Sequence, residues 1–142
     1  MPKMFVHAPA GLFSAEAREQ VAAELTELGL DCEKLPSTPF VKSTVWIYFT
    51  DYVPGMIFAG GAPARAQIMS LVVYTLEGGL DDDGRQRLIA SATEILGRHT
   101  GASHRVPAYV VIREVPERNW GLFGEPGNLQ ALRESSPDLP AI

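Results

Sequence analysis

The order of apolar segments in this chain repeats once, and that repetition is the strongest constraint on its fold. Each half reads strand, helix, strand, and one such unit alone is too small to bury both faces of its elements. Two units complete a four-stranded sheet backed by two helices, and a right-handed crossover makes the strands within each unit parallel. The pattern therefore predicts an α+β fold with a mixed sheet. The four predicted strands are Lys3–Ala8, Ser43–Thr50, Met69–Leu76 and Ala108–Arg113.

Two amphipathic segments connect the strands within each half. The first helix is predicted over Ala15–Leu28, with Ser14 as its N-cap and Gly29 as its C-terminal stop. The second helix is predicted to begin at a capping box formed by Asp83 and Gln86. Each helix is followed by a β-prone run, as a β-α-β unit requires.

A stretch rich in glycine and proline, 53–63, separates the two halves and predicts an ordered loop or short hairpin. The chain has 142 residues, of which 46% are hydrophobic, enough for one sizeable core. We expect a single domain over 1–142. Its first unit and loop occupy 1–66, and its second unit and tail occupy 67–142.

Composition restricts the classes of partner. The formal net charge of −5 argues against nonspecific binding to nucleic acid, which needs a basic face. No apolar run is long enough to span a membrane, so we expect a cytoplasmic protein without a membrane partner. Cys32 is the single cysteine, and the three histidines show no metal-ligand spacing with it. We therefore expect neither a metal nor a cofactor.

Pro2 directly follows the initiator methionine and opens the first predicted strand. Removal of Met1 leaves a secondary amine at the chain terminus. An α-amino group titrates near pH 8, and burial in an apolar pocket lowers its pKa further. A neutral terminal proline can therefore act as a base or a nucleophile. The structural alternative is that a proline at position 2 is common and has no chemical role, and a retained Met1 would block the chemistry.

The tandem order, the proline at position 2 and the tail Glu114–Glu125 together resemble the tautomerase superfamily over nearly the whole chain. The Glu-Val-Pro-x-x-Asn-Trp-Gly segment of that tail is similar to the strand-to-hairpin passage of 4-oxalocrotonate tautomerase-like proteins. The loop Gly55–Gly61 and the fused length are similar to the cis-3-chloroacrylic acid dehalogenase-like branch. The resemblance implies a tautomerase/MIF-like fold, one amino-terminal proline per chain and a homotrimer.

The departures from that branch are informative. The dehalogenases carry a histidine where this chain has Gly29, and arginines where it has Glu77 and Leu80. Those groups hold a substrate carboxylate and activate water, so we do not expect hydrolytic dehalogenation. The apolar stretch Gly11–Phe13 also stands where the short tautomerases use an arginine. The predicted pocket is therefore more apolar than is usual for the family.

The resemblance implies Pro2 as the catalytic residue and Trp120 as an aromatic wall of its pocket. Tyr109 stands where the short enzymes have a substrate-facing arginine, and Arg65 and Arg113 are the candidate cations for a substrate carboxylate. Each assignment has a structural alternative. Trp120 could anchor the tail, Tyr109 could pack within the sheet, and Arg113 could be a surface charge or a subunit contact.

The leading functional hypothesis is a cofactor-independent isomerase, a tautomerase that acts on a small keto or enol acid. Neutral Pro2 would take a proton from the substrate and return it to a neighbouring carbon. Three alternatives stay open at this point. They are a Pro2-dependent decarboxylase or hydratase, a catalytically silent trimeric binding protein, and an unrelated α+β domain. Retention of Met1 would favour the binding protein.

Overall fold

A computed structural model of the protein describes residues 1–102 and 104–142. These residues form eight strands and four α-helices. They are β1 (Lys3–Pro9), α1 (Ala15–Cys32), α2 (Pro39–Ser43), β2 (Trp46–Tyr52), β3 (Phe58–Ala59), β4 (Ala62–Pro63), β5 (Met69–Leu76), α3 (Asp82–Thr100), β6 (Ala108–Val115), β7 (Gly121–Leu122), β8 (Glu125–Pro126) and α4 (Leu129–Arg133).

The main sheet has four strands in the order β2-β1-β5-β6. β1 is parallel to β2 and β5 is parallel to β6, because each pair is joined by a helical crossover. The two central strands, β1 and β5, run antiparallel and join the halves, with Lys3 opposite Tyr74 and His7 opposite Ser70. The predicted α+β fold with a mixed four-stranded sheet is therefore confirmed.

Both long helices cover the same face of the sheet. Side chains alternate along β1 and β5, so that every second residue is buried against α1 and α3. The opposite face carries aromatic and polar side chains and no helix among the described residues. The centre of the core is formed by residues that are almost fully buried, namely Met4, Val6, Val21, Leu25, Leu71, Val73, Leu88, Ala92 and Leu96.

Two predicted helix boundaries differ from the structure. The prediction that Gly29 ends the first helix is wrong, because α1 continues through it to Cys32. A glycine inside a helix is tolerated at a modest cost, and here its missing side chain leaves room for a neighbour. The second long helix starts earlier than its predicted capping box. Asp81, not Asp83, is the N-cap of α3, and its carboxylate accepts a hydrogen bond from the Gly84 amide at 2.7 Å.

The short helix α2 includes Ser43, which was predicted to begin the second strand, so that β2 begins only at Trp46. Thr38 caps α2, with its hydroxyl oxygen accepting from the Val41 amide at 3.4 Å, and Pro39 occupies the first turn of the helix. The hairpin predicted between the halves is present as β3 and β4. A second hairpin, β7 with β8, follows β6 in the tail. No helix among the described residues is both long and apolar enough to cross a bilayer.

Gly29 allows α1 to lie directly on the start of β1. A Cβ atom at this position would lie 2.7 Å from Cγ of Pro2 and 2.9 Å from Cε of Met4. The methionine tip can move, but the proline ring cannot turn away. Gly29→Ala should therefore destabilise the protein by about 1–2 kcal/mol, because an overpacking cost of about 1–3 kcal/mol outweighs the helix propensity gained.

Chemical denaturation of the two proteins measures this difference. Gly121→Ala is the matched control, because a Cβ atom there meets nothing within 4 Å. A Gly29→Ala protein as stable as the wild type would show that Pro2 is not held against the helix.

Candidate active site

A cavity of about 550 Å³ lies where the start of the chain meets the tail. Met1 and Lys3 form one side of it, and Trp120 and Phe123 of the tail form another. Trp46, at the start of β2, and Tyr74, on β5, also line the cavity. Aromatic side chains and the side chain of Lys3 thus surround a space next to the first residues of the chain.

The tail is held over the amino terminus by hydrogen bonds of its own. After β6, residues Glu117–Asn119 form a single 3₁₀ turn that leads into Trp120. The carbonyl of Trp120 accepts from the Gly127 amide at 2.6 Å, which closes the β7-β8 hairpin beside the cavity. A carboxylate oxygen of Glu117 accepts from the Leu129 amide at 2.7 Å and so fixes the start of α4. These bonds determine where the indole lies.

Pro2 is buried at the start of β1, with its ring against Gly29. Met1 is also buried, with 1% of its surface exposed, and its side chain packs among leucines of α1, β5 and α4. The amino group of Met1 is consequently shielded from water.

The amino group of Met1 forms a buried ion pair with Glu33. Their nitrogen and Oε2 atoms are 2.7 Å apart, and both side chains are 1% exposed. Glu33 directly follows α1 as its C-cap residue, which brings its carboxylate to the end of the sheet where β1 starts. Three bonds separate the Met1 nitrogen from the Pro2 nitrogen, so Oε2 lies at most about 6 Å from the latter.

Burial disfavours the charged form of both partners. It lowers the pKa of the Met1 amino group below the ordinary value of 8.0, although the Glu33 carboxylate opposes this shift. Burial likewise raises the pKa of Glu33 above its ordinary value of 4.5, against the influence of the amino terminus. Burial therefore shifts each group toward its neutral form, and the charge of its partner opposes that shift.

Of the four substrate-binding candidates, Trp120 alone lines the cavity beside Met1. Tyr109 is 79% exposed and lies near the opposite end of the sheet, where Phe58 and Arg105 border a different cavity. Arg65 lies beside Pro9, at the far end of β1. Six residues of strand separate Pro9 from Lys3, a distance of about 20 Å.

Arg113 lies closer to the site but does not line it. Its guanidinium carbon is 5.9 Å from the ring centroid of Tyr74, and Tyr74 is one of the cavity walls. The cation that does line the cavity is Lys3, whose Nζ lies 5.5 Å from the Phe5 ring centroid and 5.4 Å from that of Tyr48. Such contacts hold an ammonium group over aromatic faces.

Sequence reasoning missed Glu33 and Lys3. Lys3 could have been found, because it follows Pro2 on a strand and its side chain must point to the face that Met4 does not use. Glu33 gave no such signal, since an acidic residue just after a helix is ordinarily solvated. Glu33 is buried because the end of α1 meets the start of the chain, and this contact is visible only in the three-dimensional structure.

Glu33→Gln should destabilise the chain that carries Met1 by about 3–5 kcal/mol, because it leaves the buried ammonium without a counter-charge. Glu125→Gln serves as the control, since Glu125 is exposed and a surface change of this kind alters stability by about 0.5 kcal/mol or less. Denaturation of proteins whose intact mass includes Met1 measures both effects. Equal stability of the two variants would refute the buried pair.

Comparison with known proteins identifies relatives of this fold. The family model described as Tautomerase enzyme matches residues 71–128. No curated protein matches the sequence. A solved member of the cis-3-chloroacrylic acid dehalogenase family is similar over 97% of this chain and 92% of its own, with 22% identity and a TM-score of 0.79.

Two fused 4-OT proteins, each described as a wild type asymmetric trimer, are also similar to this chain. One is 24% identical with a TM-score of 0.74, and the other is 21% identical with a TM-score of 0.76. Both matches cover 92% of this chain and 98% of the fused protein. The family match over residues 71–128 bears out the resemblance to the tautomerase superfamily, and the solved structures show that the chain has the fold of a fused-length protein of this kind.

Proposed function

We propose that this chain, a member of the tautomerase superfamily by its fold and family match, is an isomerase that uses Pro2 after removal of Met1. Neutral Pro2 would act as the general base for keto-enol conversion of a small 2-oxo or enol acid. The observation that carries the proposal is the burial of the amino terminus beside an aromatic cavity of about 550 Å³. Burial there lowers the pKa of an amine, which is what a base working near pH 7 requires.

The residues around the cavity suggest how a substrate would be held. Lys3 is the cation beside the site, so we assign it the role of binding the substrate carboxylate in place of Arg65 and Arg113. Trp120 and Phe123 would exclude water from the reacting atoms. In the ketonisation direction, Pro2 would take the enol hydroxyl proton and deliver it to the β-carbon, with the electron pair of the double bond forming the new C–H bond. No net proton is lost.

Glu33 favours a second candidate of a different class. A carboxylate within about 6 Å of the Pro2 nitrogen raises the pKa of the amine and holds it in the cationic form. Cationic Pro2 would suit a decarboxylase or hydratase, in which it polarises the substrate and does not remove a proton. The first candidate requires neutral Pro2 and the second requires cationic Pro2. The pH dependence of the reaction rate therefore distinguishes them.

Processed protein, with loss of Met1 verified by intact mass, should ketonise 2-hydroxymuconate or the enol of phenylpyruvate. If Pro2 is a base, kcat/KM should rise with pH and level off above the pKa of the Pro2 amine. Glu33→Gln should move this rise to lower pH, because it removes the charge that raises the amine pKa. If cationic Pro2 is active, the rate should instead fall as pH rises through the same pKa.

Pro2→Ala should reduce the rate by about 10² to 10⁴, the usual contribution of a positioned proton-transfer group. Pro54→Ala, an exposed proline, should leave the rate unchanged. If the Pro2 variant turns over enol acids as fast as the wild type, the proposed active site is wrong. Absence of turnover in fully processed protein would support the alternative of a silent trimeric binding protein.

We further propose that the chain is a homotrimer. The open face of the sheet exposes Trp46, Tyr48, Tyr109 and Val111, an apolar surface of the kind that subunit contacts cover. The two fused 4-OT proteins that share the fold are described as trimers. A second chain packed on this face would also explain the exposure of Tyr109 in one subunit.

Sedimentation of the wild type should give a mass about three times the 15.4 kDa of one chain. Val111→Glu should dissociate the assembly, because it places a charge in an apolar contact. Ile89→Glu is the matched control on the outer side of α3, with 44% exposure against 43% for Val111. A monomeric wild type, or a Val111→Glu protein that stays trimeric, would contradict this assembly.

A further inference from the structure

Met1 occupies a pocket with the features of a binding site for an amine. Its ammonium group is 2.7 Å from Oε2 of Glu33, a residue with no exposed surface. Its side chain packs with a separate buried cluster of aliphatic residues, which are Leu30, Leu35, Val41, Leu76, Leu129 and Leu132. One end of the pocket is therefore anionic, and the rest is apolar.

The carboxylate at the end of this pocket is held in place by the backbone around it. A Cβ atom at Gly79 would lie 2.8 Å from Oε1 of Glu33, so a glycine is needed for the carboxylate to fit. Arg133 donates through Nη2 to the backbone carbonyl of Glu33 at 3.0 Å, which ties α4 to the end of α1. Oε1 itself is buried and has no hydrogen-bond partner among the described residues. It is free to accept a further bond.

Removal of Met1 changes this pocket more than it changes the rest of the fold. Met1 also lines the cavity of about 550 Å³, so its loss would join the apolar pocket to that cavity. Pro2 could then approach Glu33, but its ring is confined by Gly29 and cannot fill the space that the Met1 side chain occupies. A buried carboxylate facing an apolar space is costly unless a cation pairs with it.

We infer that the processed protein binds a primary ammonium compound with a short, unbranched apolar chain in the place that Met1 occupies before processing. The inference rests on the removal of Met1 proposed above. The ammonium would donate to both oxygens of Glu33, and the chain would lie among the leucines. An acylated amine lacks the charge that Glu33 requires, and a carboxylate in the same position would be repelled by it.

Calorimetric titration of the processed protein with 3-(methylthio)propylamine tests the site directly, because this compound reproduces the amino group, Cα and side chain of Met1 and leaves out the carbonyl that would meet the Pro2 nitrogen. We expect saturable binding to the wild type. N-acetyl-3-(methylthio)propylamine, which keeps the chain but has no charge, should bind about 10- to 100-fold more weakly, as expected for loss of a charged hydrogen bond. Methylamine, which keeps the charge but has no apolar chain, should also bind more weakly.

Two further proteins serve as controls. Glu33→Gln should lose about 10-fold or more in affinity for 3-(methylthio)propylamine. Protein that retains Met1 should not bind, since its own first residue fills the pocket. The site is refuted if processed wild type fails to bind 3-(methylthio)propylamine, or binds the acetylated compound equally well. Both of these comparisons use the wild type and so do not depend on whether the Glu33 variant folds.

Failure of this inference can be told apart from failure of the proposed isomerase. Binding without Pro2-dependent turnover of enol acids would uphold the amine site and contradict the isomerase. Pro2-dependent turnover without binding of the amine would uphold the isomerase and contradict the amine site.

Discussion

Burial of the amino terminus beside Glu33 determines the arrangement of one end of this molecule. The carboxylate stands at the end of α1, and the amine it meets belongs to the residue before β1. α4 joins them through the bond from Arg133 to the Glu33 carbonyl. A charge at this depth is tolerated only where an opposite charge is fixed nearby. The end of α1, the start of the chain and the tail must therefore all take up their positions together. The cavity beside Trp120 is a consequence of that placement.

The two halves of the fold are similar in backbone but differ in chemistry at their starting points. Met69 opens β5 as Pro2 precedes β1, and it is likewise buried, at 3% exposure. Its nitrogen, however, is a peptide amide that donates to the Pro107 carbonyl at 2.9 Å. A peptide nitrogen cannot be a base, because its lone pair is delocalised into the carbonyl. The starts of β1 and β5 are equivalent in the fold, but only the start of β1 carries the chain terminus. A free amine can therefore occur at only one of these two positions.

The sequence predicted those features that depend on a local pattern. Strand alternation and helical periodicity located the sheet and both long helices. Trp120 of the Asn-Trp-Gly tail lies beside the start of the chain, where it lines one cavity together with Met1. The errors came where tertiary contacts override local signals. Gly29 reads as a stop but lies inside α1 because Pro2 needs the space. Glu33 reads as a solvated residue, and no periodicity reveals that a helix end meets the chain terminus.

The position of Glu33 makes the chemistry of this site depend on a balance between two opposing effects. Burial lowers the pKa of an amine at the chain terminus, and the carboxylate raises it. A shift of one pKa unit corresponds to about 1.4 kcal/mol, which is comparable with the worth of a single hydrogen bond. In the proposed isomerase, a change in the orientation of this carboxylate would therefore shift the fraction of Pro2 that is neutral. Within one fold, the choice between base and acid chemistry would then depend on a residue beside the amine and not only on the residues that hold the substrate.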